Sequence, residues 1–386
     1  MSLADLFNGV AVLIDDEHDT EKNIKDLIAQ IESKNIPIVL SKELLNTESI
    51  VNLRSISFLL LDWQLNVLPK GVKGGAEERS NIEFLKEFSK KCFVPVFIFT
   101  NEDINHIKRL LIANGLYIEG KPSCIFIKKK EDLIGGKLFG EIETWLKENP
   151  SIYVLKEWEK GYNSAKNLLF REFFEISPFW PNILCTTFYE DKDNPSNSLG
   201  DIISKNLGAR MLPINFQVNL DVTKNVPSSE LKKVLEGERF IKNAGLISDN
   251  ISTGDFFKYP GGKYFLNIRA ECDCFPDRNK ADAKLDDVDL YLLEGDILTK
   301  KQTEDKYNKD YGQFLENDNE AVVFSMLEGK SFLFKFKDIT IKKWGDLKDK
   351  RLGRLLPPYI TRIQQRYALY SHRQGILRTP KEALQD

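Results

Sequence analysis

The sequence contains few histidines and cysteines, and it has little excess charge. Its three histidines and five irregularly spaced cysteines form neither a clear zinc-ligand pattern nor a disulfide framework. The formal net charge of −3 gives no general attraction for nucleic acid. The apolar runs are too short to span a bilayer, and no N-terminal signal pattern is visible. These absences predict a cytoplasmic protein that does not engage a membrane.

Several motifs of well-known enzymes and DNA-binding proteins are also missing. The sequence has no Walker loop, no Gly-x-Ser-x-Gly, no His-Glu-x-x-His and no helix-turn-helix spacing. It contains no internal repeat and no low-complexity tract. The length of 386 residues and the apolar fraction of 42% predict two or three domains with sizeable cores. Sequence-specific DNA binding is not expected.

The first 130 residues contain four short apolar runs that each end in polar residues. The runs and the residues at their ends are 10–14 with Asp15-Asp16-Glu17, 58–61 with Asp62, 94–99 with Thr100-Asn101, and 124–127 with Lys128-Lys129-Lys130. Short continuous apolar runs are typical of strands buried on both faces, and therefore of a parallel sheet. Ligands bind beyond the carboxyl ends of such strands. The four polar signals are predicted to converge on one pocket.

The segments between these runs have the apolar spacing of helices. This spacing occurs in residues 19–34, 81–91, 101–114 and 138–148, and residues 36–40 are a further strand candidate. The alternation predicts five βα units, which form an α/β fold with a doubly wound, five-stranded parallel sheet.

The residue types at the strand ends suggest phosphoryl chemistry. A carboxylate such as Asp62 can act as a nucleophile and take a phosphoryl group as an acyl phosphate. Asp15, Asp16 and Asp62 offer the oxygen ligands that Mg²⁺ prefers, and a divalent cation would relieve their mutual repulsion. Thr100 can hydrogen-bond a phosphoryl oxygen, and a lysine can pair with its charge.

This set of residues resembles the receiver domain of two-component response regulators. In that family an acidic pair, a phosphoacceptor aspartate, a threonine or serine, and a lysine stand on strands 1, 3, 4 and 5. The resemblance covers residues 8–148 and implies a flavodoxin-like fold with Mg²⁺ as cofactor. It implies Asp62 as the phosphoacceptor and a sensor histidine kinase or phosphotransfer protein as the partner.

The lysine of this resemblance is either Lys128 or Lys129. Lys128 directly ends the apolar run and is the preferred residue. The argument for Lys129 is that Phe126 then lies three residues before it, where receivers often carry a switch aromatic. The family's lysine is usually followed by proline, whereas further lysines follow here. The Asp62–Thr100 interval is also long, so residues 66–80 are predicted to be an inserted loop beside the site.

Each polar signal also has a simpler explanation. Asp62 alone would be a solvent-exposed acid at a strand end, and Asp15-Asp16-Glu17 would be a favourable acidic helix start. Thr100 would be a helix N-cap. Under this interpretation the N-terminal domain is a pseudo-receiver that serves only as an interaction scaffold.

The remaining sequence is predicted to fall into two parts. Residues 149–200 form a helical linker and then a loop rich in Pro, Asn, Asp and Ser. Residues 201–386 form an α+β, β-rich domain of unrecognised type that ends in a basic amphipathic helix. Within it, Cys272 and Cys274 lack further ligands at zinc-site spacing, so a structural turn without zinc is expected.

The function predicted from these features is bacterial phosphorelay signalling. Asp62 would accept a phosphoryl group, and residues 201–386 would respond to it. Alternatively, the receiver would act as a phosphate sink beside a kinase, as in stress or phage-defence operons. Two other classes stay open, the scaffold and a receiver-controlled enzyme with its activity in the C-terminal region. A homodimer is an option for the assembly.

Overall fold

The chain forms two compact units. The computed structural model describes residues 6–7, 9–53, 55–65, 75–190, 195–217, 219–247, 250–276, 280, 282–373 and 380–384. One unit comprises residues 1–189 and 194–217, and the other comprises residues 190–193 and 218–386. The helical segment after residue 149 therefore belongs with the N-terminal sheet.

The N-terminal unit is built on a parallel sheet. Its strands are β1 (Val10–Ile14), β2 (Ile38–Ser41), β3 (Ile56–Asp62), β4 (Val96–Thr100) and β5 (Ile125–Lys129). They lie in the order β2-β1-β3-β4-β5, and each neighbouring pair is parallel. The predicted doubly wound, five-stranded sheet is confirmed.

Helices cover both faces of this sheet. They are α1 (Lys22–Glu32), α2 (Thr47–Val51), α3 (Ala76–Lys91), α4 (Ile104–Ala113) and α5 (Leu138–Glu148). Phe58 and Leu60 of β3 pack into a cluster with α1 and α5, whereas Leu59 and Leu61 pack into one with α3 and α4. Burial on both faces explains why the strands are continuous apolar runs.

Three further helices follow α5 in the same unit. They are α6 (Pro150–Ile176), α7 (Trp180–Glu190) and α8 (Pro195–Arg210). The prediction of a loop in the second half of residues 149–200 is wrong, because α7 and the start of α8 occupy most of that range. Pro181 and Pro195 lie in the first turn of their helices, where a missing N–H costs no hydrogen bond. The prolines that suggested a loop therefore begin helices.

The start of α6 is fixed to the amino ends of the strands. Asn149 accepts a hydrogen bond from the Ser123 N–H at 2.7 Å and donates one to the Trp145 carbonyl at 2.7 Å. Lys156 is fully buried, and its ammonium donates to the Ile56 carbonyl at 3.3 Å and pairs with Glu159 at 2.8 Å. Burial lowers the pKa of Lys156. These contacts make α6 a continuation of the sheet domain.

The C-terminal unit contains a seven-stranded antiparallel sheet. Its strands are β6 (Phe240–Lys242), β7 (Asp255–Lys258), β8 (Tyr264–Asn267), β9 (Asp289–Leu298), β12 (Glu320–Leu327), β13 (Lys330–Lys343) and β14 (Arg351–Leu355). They lie in the order β12-β13-β9-β8-β7-β14-β6. The helices of this unit are α9 (Leu220–Lys224), α10 (Ser228–Arg239), α11 (Lys300–Asp305) and α12 (Tyr359–Ser371). A small hairpin of β10 (Tyr307–Asn308) and β11 (Gln313–Phe314) lies outside this sheet. The predicted β-rich character is confirmed.

The last long helix, α12, packs on the core of this unit. Ile360 and Ile363 are buried in a cluster with Phe256, Phe332 and Phe336. On the outer side of α12, Arg362 and Arg366 lie 2.7 and 3.3 Å from Glu316. The arginines therefore have an acidic partner within their own unit.

We expect Ile363→Ala to destabilise the C-terminal unit by about 2–5 kcal/mol, because it leaves a cavity in the core. Leu369→Ala is the matched control, since Leu369 lies on the same helix and is 76% exposed. The control should change stability by less than about 0.5 kcal/mol. Thermal unfolding of the two variants beside the parent measures the difference, and equal midpoints would show that α12 is not part of the core.

Candidate functional site

Three aspartates meet at the carboxyl ends of β1 and β3. Ile14 pairs with Leu61 in the parallel register, so Asp15 and Asp62 lie level on neighbouring strands. One carboxylate oxygen each from Asp15, Asp16 and Asp62 lies within 4.8 Å of the others. Asp15 and Asp62 are buried, and Asp16 is half-buried. The sequence prediction that these acids converge holds at this point.

A buried lysine lies against two of these acids. Lys130 begins a single 3₁₀ turn, Lys130–Asp132, directly after β5. Its ammonium is 2.8 Å from Asp62 Oδ2 and 3.0 Å from Asp15 Oδ2. A third carboxylate, Glu21 at the start of α1, lies 2.7 Å from the same nitrogen. The Lys130 side chain is only 2% exposed.

The structure therefore corrects the choice of Lys128 as the site lysine. Lys128 is level with Asp62 across the sheet but two strands away, and its ammonium pairs with Glu141 of α5 at 2.7 Å. The alternative, Lys129, donates to the Asn101 carbonyl at 2.8 Å. Lys130 lies beyond the end of β5, and from there its side chain reaches the acids at the ends of β1 and β3. The family-like signals in the sequence, a strand end or an aromatic three residues earlier, do not identify that position.

Burial and neighbouring charges shift the pKa values of Asp62 and Lys130 in opposite directions. Burial raises the pKa of Asp62 to about 7, and the positive charge of Lys130 only partly offsets that effect. Burial also disfavours the charge of Lys130, but Asp62, Glu21 and Asp15 outweigh it and raise the pKa of the lysine. The lysine is therefore a fixed positive charge, while burial disfavours the charged form of Asp62.

Thr100 completes the strand-end set. It is buried at the end of β4, one residue beyond Phe99, which pairs with Asp62. Its hydroxyl oxygen accepts a hydrogen bond from the Glu102 N–H at 3.0 Å. A hydroxyl that accepts one bond keeps its own hydrogen for donation. The predicted convergence of Asp15, Asp16, Asp62 and Thr100 on one end of the sheet matches this placement.

The three aspartates suit a hard divalent cation. Among the residues that the structure describes, they are the one group of acids, histidines or cysteines close enough to hold a metal ion. Carboxylate oxygens are the ligands of Mg²⁺ and Ca²⁺, and thiol or imidazole donors are not part of this group. Three of the acids, Asp15, Asp62 and Glu21, share one lysine. Asp16 lies beside two of them, so a cation would reduce the remaining repulsion.

The predicted inserted loop can be compared with the structure only in part. Residues 66–74 lie outside the described residues. Gly75 precedes α3, and residues 76–80 form the first part of that helix. The predicted insertion is therefore shorter than residues 66–80 at its C-terminal end.

The Cys272–Cys274 pair does not form a metal site with its described neighbours. Cys272 is exposed, whereas Cys274 is buried and lies 3.6 Å from the Asn267 amide nitrogen. Burial raises the pKa of the Cys274 thiol to about 12. The pair lies in a 3₁₀ turn, Glu271–Asp273, and the residue after it, which agrees with the structural turn expected from the sequence.

No protein-family model matches the chain, and no curated protein matches it. The order and direction of the N-terminal strands are compatible with a flavodoxin-like fold. None of the helices within the described residues has both the length and the apolar character needed to cross a membrane.

We expect Lys130→Met to destabilise the protein by about 3–5 kcal/mol, because it leaves buried carboxylates without their shared counter-charge. Mg²⁺ should recover part of that loss. Lys128→Met is the matched control, and loss of its half-exposed ion pair should cost at most about 1 kcal/mol. Thermal melts with and without Mg²⁺ measure both effects, and a larger loss for Lys128→Met would contradict the assignment of the lysine.

The two neighbouring cysteines should differ sharply in reactivity. The thiolate is the reactive form, so native protein at pH 8 should be alkylated at Cys272 and protected at Cys274. Peptide mass spectrometry after brief iodoacetamide treatment distinguishes the two positions. If Cys274 were labelled to the same extent in native and in unfolded protein, it would not be buried.

Proposed function

We propose that the N-terminal unit is a receiver-type module that accepts a phosphoryl group on Asp62. The observation that carries this proposal is the contact of the Lys130 ammonium with Asp62 at 2.8 Å, beside Asp15 on the neighbouring strand end. The pocket around this contact therefore contains a carboxylate nucleophile, a fixed positive charge and acidic side chains that can bind a metal ion. The Thr100 hydroxyl lies on the next strand at the same end of the sheet.

The proposed step is a direct displacement at phosphorus. A carboxylate oxygen of Asp62 attacks the phosphorus, and the bond from phosphorus to the donor atom breaks. The bonding electrons leave with the donor, which is a histidine nitrogen in a kinase or an acetate oxygen in acetyl phosphate. Lys130 and Thr100 then contact the phosphoryl oxygens, and the product is an acyl phosphate. Mg²⁺, held by Asp15, Asp16 and Asp62, would neutralise charge on the transferring group.

The partner and the cellular role form part of the same proposal. A sensor histidine kinase or phosphotransfer protein would supply the phosphoryl group in a bacterial cytoplasm. The C-terminal unit would either respond to the modification or be bypassed, in which case the protein drains phosphate from the kinase. Added charge on Asp62 acts directly on the ion pairs of Lys130, and such a local change can bias a two-state element.

We expect beryllofluoride with Mg²⁺, a mimic of the phosphoryl group, to raise the melting temperature of the protein. Asp62→Asn should abolish the rise, since it removes the nucleophilic oxygen and a metal ligand. Asp132→Asn is the control, because Asp132 is an exposed acid two residues from Lys130. A parent protein that does not respond would leave the pseudo-receiver scaffold as the better account.

A further inference from the structure

Glu21 has an unusual position in the pocket. It stands at the N-cap of α1 in an extended conformation (φ −71°, ψ 125°), but its side chain makes no capping hydrogen bond among the described residues. Glutamate is not among the preferred N-cap residues. Its carboxylate instead makes the shortest of the three contacts to the Lys130 ammonium, at 2.7 Å, and its side chain is 18% exposed. The Glu21 side chain therefore binds Lys130 and does not cap the helix.

The Lys130 ammonium has its full set of bonds. An ammonium group carries three N–H donors. Asp62, Asp15 and Glu21 each accept one of them, at 2.8, 3.0 and 2.7 Å. A phosphoryl group on Asp62 brings further anionic oxygens, and Lys130 can bind one of them only if it gives up an existing partner.

We propose that Glu21 is a positioning residue that tethers Lys130 in the resting pocket and competes with the phosphoryl group for it. This inference rests on the function proposed above and adds an element of control to the same site. Asp62 accepts the phosphoryl group through one oxygen and keeps the other as an acceptor for Lys130, and Asp15 is a ligand of the proposed metal. Glu21 has neither task, so its bond to Lys130 is the one released when the phosphoryl group arrives.

Glu21 opposes the phosphoryl group in two ways. Its bond to Lys130 keeps an N–H donor occupied, and charge-assisted bonds of this kind are the stronger ones. Its negative charge also repels an incoming anion, while the same charge attracts a cation. Removal of the carboxylate should therefore strengthen binding of an anionic phosphoryl mimic and weaken binding of Mg²⁺ alone.

Two variants separate the tether from the charge. Glu21→Gln removes the charge and weakens the bond to Lys130. Glu21→Asp keeps the charge but shortens the side chain by one methylene, so the carboxylate no longer reaches the ammonium. Asp19→Asn is the matched control: Asp19 belongs to the same β1–α1 loop, is half-exposed, and pairs with Lys42 at 2.7 Å. This variant removes one negative charge from the loop but leaves the contacts of Lys130 unchanged.

The experiment measures two affinities by calorimetry for the whole chain and for each of its variants. The first is for Mg²⁺ alone, and the second is for beryllofluoride at saturating Mg²⁺. We expect Glu21→Gln to bind beryllofluoride roughly threefold to tenfold more tightly and Mg²⁺ roughly threefold more weakly. Glu21→Asp should bind beryllofluoride more tightly with Mg²⁺ affinity unchanged. Asp19→Asn should match the parent within about twofold in both.

The outcomes distinguish this inference from the function on which it rests. If the parent binds no beryllofluoride, the proposed phosphoacceptor role fails. If the parent binds it and both Glu21 variants bind it equally well or more weakly, the tether is refuted while the phosphoacceptor role stands. If Asp19→Asn gives the same gain as Glu21→Gln, the effect is one of general charge, and the tether is likewise refuted. Circular dichroism of each variant is the check that the fold is retained.

Discussion

The N-terminal unit depends on one buried ammonium group that is shared among three carboxylates. Lys130 bonds to Asp62, Asp15 and Glu21, which come from the ends of β3 and β1 and from the start of α1. Burial of an unpaired charge costs several kcal/mol, so the loss of Lys130 would leave three carboxylates without their shared counter-charge. The contact therefore holds three separate chain segments at one end of the sheet. It also concentrates negative charge where a metal ion or a phosphoryl group would change the balance.

Strand β3 connects this pocket to the opposite end of the sheet. Its last residue, Asp62, bonds to Lys130, and its first residue, Ile56, accepts a hydrogen bond from the buried Lys156 of α6. A second buried lysine thus attaches the helical extension to the same strand that carries the proposed phosphoacceptor. All seven residues of β3 are buried, so the strand is held along its whole length. The helices after α5 are consequently part of the sheet domain.

The sequence predicts the fold well where burial dictates residue type. Strands β1, β3, β4 and β5 are covered on both faces, so they appear as apolar runs, and the polar residues at their ends identify Asp15, Asp62 and Thr100. The position of Lys130 is different, because a long side chain can reach the pocket from several places along a run of lysines. Glu21 carries no sequence signal other than an unfavourable residue type at a helix start. Helices α7 and α8 each have a proline in the first turn, and such prolines resemble loop residues until the start of each helix is known.

The central claim is that Asp62 takes a covalent phosphoryl group, and mapping of that group tests it most directly. The full chain is incubated with acetyl phosphate and Mg²⁺, and its intact mass and peptides are measured under conditions that preserve acyl phosphates. The account predicts the added mass of one phosphoryl group, located on the peptide that contains Asp62 and lost on treatment with hydroxylamine, which cleaves acyl phosphates. An unmodified chain, or a phosphoryl group on another residue with Asp62 unmodified, would contradict it.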